Sequence, residues 1–68
     1  MNEDIFNMEV RKFLKRLGVT AQREIEQAVR DALESGMLSA DTPISVTAHV
    51  TSPSINLSVQ VTGDINLE

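Results

Sequence analysis

Sixty-eight residues, a net charge of −4 and no cysteine leave room for one small domain at most. Disulfides and thiolate metal sites are excluded, and a lone histidine cannot hold zinc without several carboxylates. The acidic balance argues against non-specific nucleic-acid binding, and no apolar run is long enough to span a bilayer.

A chain this short buries only about 60% of the surface it exposes when unfolded. Small domains usually add a staple: disulfides, a metal or a partner chain. The partner chain is the one left here. The N-terminus, Met1-Asn2-Glu3-Asp4, is acidic where a signal peptide would be basic, so a cytoplasmic setting is expected. With no tyrosine or tryptophan, there is little aromatic surface for stacking on bases or sugars.

The first predicted element is a helix over about residues 3–17. Asn2 suits the N-cap, and Glu3 and Asp4 complement the helix dipole in the first turn. Phe6, Val10, Phe13, Leu14 and Leu17 form one apolar stripe. Met1, Ile5 and Met8 form a second, on roughly the opposite side. Gly18 suits the left-handed position after a helix end. Thr20 then reads as the N-cap of a second helix, about 21–35, with Ala21, Ile25, Ala28, Val29, Ala32 and Leu33 on its apolar face. Glu26, Arg30 and Glu34 form a charge ladder on its outer side. Gly36 ends it.

Met37 to Pro43 is a connector. Two alternating stretches follow, predicted as strands over about 44–51 and 55–67. In the first, Ile44, Val46, Ala48 and Val50 alternate with Ser45, Thr47, His49 and Thr51. In the second, Ile55, Leu57, Val59, Val61, Gly63, Ile65 and Leu67 alternate with polar residues. Ser52-Pro53-Ser54 joins them as a hairpin. Apolar must face apolar, so the loop holds an even number of residues. A type I turn starting at Ser52 sets Val50 opposite Leu57, Ala48 opposite Val59 and Val46 opposite Val61. A slip of two residues is the alternative and keeps the same faces. Gly63 marks a bulge or a close approach. No internal repeat is evident.

The expected fold class is α+β, order ααββ. Two amphipathic helices pack on one face of a long antiparallel hairpin, within a single domain over 1–68.

Chemistry is sparsely signalled. His49 lies on the polar strand face near Thr47, Thr51 and Ser58, with no oxyanion hole or strained nucleophile turn. No catalytic residue, metal site or cofactor is expected. All cations fall between residues 11 and 30. Arg11, Lys12, Lys15, Arg16, Arg23 and Arg30 read either as a solvated helix end or as a patch for an anionic partner. The helix–glycine–helix step resembles a helix-turn-helix through Phe13, Leu17, Gly18 and Val19. Glu24 and Gln27, however, stand where that family buries apolar residues, and the net charge has the wrong sign.

The first half also resembles a family of short bacterial proteins catalogued as a domain of unknown function. The likeness is carried by Met1-Asn2-Glu3-Asp4, Phe6-Asn7, Arg11-Lys12-Phe13-Leu14-Lys15 and Gly18-Val19-Thr20. Gln22-Arg23-Glu24-Ile25-Glu26 and Ala28-Val29-Arg30 extend it to residue 30. The resemblance implies a stand-alone cytoplasmic bacterial protein and transfers no functional residue.

The expected function is a small non-enzymatic interaction protein that associates with itself. A nucleic-acid-binding regulator is the alternative, and a small enzyme the third. Self-association is expected through Met1, Ile5 and Met8 or through the open strand edge, which carries no lysine or arginine.

Overall fold

The computed structural model describes residues 1–68. Its elements are one helix, α1 (Glu3–Ser35), a strand β1 (Ile44–Ser52), a 3₁₀ turn (Pro53–Ile55) and a strand β2 (Leu57–Ile65). The order is therefore αββ, and the expected pair of helices over 3–17 and 21–35 is corrected to a single helix of 33 residues. The chain divides into two compact units, Met1–Met37 and Leu38–Glu68.

Gly18 is where the sequence reading goes astray. It has no positive φ and lies inside the helix. A glycine in a helix interior costs about 1 kcal/mol relative to alanine. Helix propagation is cooperative, so strong segments on both sides absorb that cost. Thr20 caps nothing, because helical residues precede it. The two ends form as expected. The Asn2 side chain accepts a bond from the Ile5 N–H at 3.1 Å, and the Phe6 N–H donates to the Asn2 carbonyl at 3.0 Å. Gly36 takes the left-handed conformation at φ 80°, with its N–H on the Leu33 carbonyl at 3.3 Å.

The connector contains a turn closed by the Thr42 N–H on the Ser39 carbonyl, 3.1 Å. The Asp41 carboxylate accepts from the Ser39 hydroxyl at 2.6 Å and from the Thr42 hydroxyl at 3.3 Å. These bonds favour the charged form, so the Asp41 pKa lies below its ordinary 3.8, the Ser39 bond being the main cause. The contribution of this turn is therefore complete above about pH 3.8 and fades as pH falls through the lowered value. An NMR titration of the Asp41 carboxyl is expected to give a midpoint below 3.8, and Ser39→Ala should raise it. A midpoint unmoved by that substitution would contradict the assignment.

The hairpin is antiparallel, and the register is the slipped alternative. Val50 pairs with Val59, Ala48 with Val61, Val46 with Gly63 and Ile44 with Ile65. The expected pairs Val50–Leu57, Ala48–Val59 and Val46–Val61 are thus corrected by two residues. The reason lies in the turn. Pro53 to Asn56 form a four-residue loop, and Asn56 closes it in the left-handed region at φ 53°. Asparagine tolerates that region better than most residues. Ile55 and Asn56 are consequently drawn out of the strand, which begins at Leu57 and not at residue 55. Ile55 stands 69% exposed.

The faces come out as the alternation requires. Ile44, Val46, Ala48 and Val50 share one face with Leu57, Val59, Val61 and Ile65. Thr47 and Thr62 pair on the other, their hydroxyls 3.1 Å apart. Gly63 is neither a bulge nor a close approach. The ladder runs through it without a break, and a Cβ built there would meet nothing within 4 Å.

No side chain of either unit is buried.

Candidate interaction surface

A single helix changes what its apolar residues mean. Most of the stripe predicted for residues 6–17 and most of the one predicted for 21–33 stay in phase across Gly18, with Val29 and Leu33 falling to one side at ~100° per residue. Phe6, Val10, Leu14, Leu17, Ala21, Ile25, Ala28 and Ala32 are spaced by threes and fours in a 4-4-3 cycle. Residues 11 apart therefore occupy equivalent places: Phe6, Leu17 and Ala28, then Val10, Ala21 and Ala32, then Leu14 and Ile25. An 11-residue repeat has ~3.67 residues per turn, close to the natural helix, so the stripe runs nearly straight. At 1.5 Å per residue, the helix is roughly 50 Å long. This regularity is present in the sequence, and it emerges only when Gly18 is not a boundary.

The large residues of the stripe stand half exposed, with Phe6 at 48%, Phe13 at 49% and Leu14 at 50%. Size is distributed unevenly. Phenylalanine and leucine fill the N-terminal half, and alanine dominates the C-terminal half. There the thin side leaves an open hollow lined by Ala28, Asp31, Ala32, Ser35 and Met37.

The six cations also move. The sequence suggests a helix end for them, yet the last turn of α1 holds no basic residue. The cluster lies in the middle of the helix, so complementing the dipole cannot explain it. Lys12, Arg16, Arg23 and Arg30 fall within about 40° of one line at ~100° per residue, on the side away from the apolar stripe. Arg11 and Lys15 lie to one side of that line. Lys12 binds Glu9 at 3.4 Å, the one ion pair the side chains form. The expected ladder of Glu26, Arg30 and Glu34 does not close. Met1, Ile5 and Met8 occupy the first two turns and stand 91%, 59% and 55% exposed.

On the hairpin, His49 Nε2 and the Ser58 hydroxyl lie 3.1 Å apart on the polar face, both exposed. No side chain is hydrogen-bonded to the other ring nitrogen, so the pair lacks the orienting group a nucleophilic site uses. No three histidine or carboxylate side chains come together as metal ligands would. The helix-turn-helix comparison loses its basis, since no turn separates two helices. No helix is long and apolar enough to cross a membrane.

A family model covers residues 1–68, the helix and the hairpin together, and its description is "Family of unknown function (DUF6494)". The chain belongs to this family. The match extends the likeness seen over residues 1–30 to the whole chain, so helix and hairpin are both family features. No curated protein and no solved structure matches.

Proposed function

We propose that this DUF6494 protein is a non-enzymatic interaction module that works as a homodimer in the cytoplasm of a bacterium. The observation that carries this reading is the apolar stripe along α1, a single helix with no second element in its own unit to pack on. A two-stranded hairpin is at best marginally stable without a cover. A helix with an apolar stripe over its whole length draws most of its stability from packing that stripe. A second copy supplies both covers, and it supplies the staple a chain of this length needs.

Two further contacts belong to the same reading. Met1, Ile5 and Met8 offer a smaller apolar contact, and methionine adapts to irregular partners. The cations Lys12, Arg16, Arg23 and Arg30 form a long outward row suited to an anionic protein surface, with Arg11 and Lys15 beside it. The net charge of −4 disfavours nucleic acid as that partner.

Sedimentation equilibrium over a wide concentration range is the test. A dimer of the 7.5 kDa chain is expected throughout the upper part of the range. A single 7.5 kDa species at the highest concentration would overturn the proposal. Turnover lost in His49→Ala with the dimer unchanged would instead make the protein an enzyme.

A further inference from the structure

We infer that the open edge of β2 pairs antiparallel with the same edge of a second copy, about a two-fold axis at Val61. This rests on the self-association just proposed and gives the hairpin its part in it. The result is one four-stranded sheet shared by two chains.

Three observations point to this edge. The first is hydrogen bonding. The N–H and C=O groups of a strand point alternately to its two sides. Those of β2 that point away from β1 have no partner in the chain. Backbone bonds outside the helix and the ladder join Asn2 to Phe6, Leu33 to Gly36, Ser39 to Thr42 and Pro53 to Asn56, and none reaches β2. β2 also lacks the devices that blunt an edge: its nine residues hold no proline, lysine or arginine, and the ladder has no bulge. The second is exposure. In β1, Ile44, Val46 and Val50 are half-buried. In β2 every residue is exposed, with Val61 at 64% and Val59 at 44%. The third is Gly63. A glycine weakens a strand, and it marks a bulge, a bend or the close approach of another backbone. The ladder runs straight through Gly63, and nothing in the chain lies within 4 Å of a Cβ built there. Close approach by a second chain is the use that remains.

The strand is its own best complement. A two-fold perpendicular to the sheet makes the two β2 strands antiparallel and keeps like faces together. Placed at Val61, the middle of Leu57–Ile65, it pairs all nine residues. Leu57 then faces Ile65, Val59 faces Gly63 and Val61 faces its own copy, all on the apolar side. On the polar side Ser58 faces Asp64 and Gln60 faces Thr62. The two Asp64 carboxylates stand roughly 20 Å apart at opposite ends, at about 3.3 Å per residue. Side-by-side parallel strands related by a two-fold would turn their apolar faces to opposite sides. Four strands also pass the size at which a lone hairpin is only marginally stable.

Amide hydrogen exchange followed by NMR on the whole chain tests this, at concentrations where sedimentation shows a dimer. The β2 amides that point away from β1 are expected to be protected like those that face it. The outward amides of β1 should exchange freely. Dilution to the monomer should remove the outward protection of β2. In a mixture of labelled and unlabelled chains, isotope-filtered NOEs should join Val59 of one copy to Gly63 of the other. Val61→Lys sets like charges opposite each other at the axis and should abolish the outward protection. The amides between β1 and β2 should stay protected in that variant, which shows the hairpin intact. Outward protection of β2 that survives in the monomer, or in Val61→Lys, would overturn the inference. A monomer at every concentration defeats the self-association and this inference with it. A dimer whose β2 edge exchanges freely defeats this inference alone.

Discussion

Leu17→Glu is expected to dissociate the proposed dimer, while Val19→Glu leaves it intact. Leu17 sits at the middle of the long stripe, 37% exposed in the single chain. Burying a leucine contributes about 1.5–3 kcal/mol. Only about a third of each Leu17 is left to cover and a two-fold contact contains it twice, so the lost burial is about 1–2 kcal/mol, or a factor of roughly 5–40 in the dissociation constant. The carboxylate adds a desolvation cost that no nearby cation on the stripe offsets. Val19 is 51% exposed and points nearly opposite the stripe, so the same change there serves as the control. Sedimentation reads the mass, and circular dichroism confirms that the helix survives. Should Leu17→Glu remain dimeric, the long stripe is not the contact. Ile5→Glu would then implicate Met1, Ile5 and Met8, and Gln60→Lys would implicate the edge of β2.

The second large effect is at Gly18. Gly18→Pro should destabilise the helix by about 3 kcal/mol, through a lost hydrogen bond and a clash with the preceding turn. Gly18→Ala should do the reverse and stabilise it by up to about 1 kcal/mol. A Cβ there meets nothing within 4 Å, so no packing cost opposes the gain. The alanine variant is the sharper test of the single helix. If Gly18 ended one helix in a left-handed conformation, alanine would be strained and the sign would invert. Thermal unfolding followed by circular dichroism gives the sign. A lowered midpoint in Gly18→Ala would contradict the continuous helix.

The same residue shows where local reading stops. Asn2, Gly36 and the alternating strands are signals whose cause lies within a few residues. A cap needs a side-chain oxygen beside a free N–H, and a strand face needs period two. These were legible. A glycine at a helix end and a glycine inside a helix look alike locally, because the difference is about 1 kcal/mol set against the cooperativity of the whole segment. The phase of the stripe across Gly18 was the available clue. Leu17 and Ala21 fall on the same side of an unbroken helix, and a real turn would have no reason to preserve that.

The candidate surface was legible only in pieces. Periodicity places every residue of the stripe on an apolar face, yet a boundary at Gly18 divides that face between two helices. The alignment of Lys12, Arg16, Arg23 and Arg30 appears only once one helix axis carries them.

The sequence by itself determined that residues 3–35 are helical almost throughout, where the helix begins and ends, and which side of each strand is apolar. Periodicity and capping are local, and they act whatever the rest of the chain does. The tertiary structure decided two things. It decided that the helix runs through Gly18, and it decided the hairpin register. A slip of two residues returns every side chain to the same face, so the hydrophobic pattern cannot choose between registers. The turn chose, by drawing Ile55 and Asn56 out of the strand and closing on an asparagine in the left-handed region.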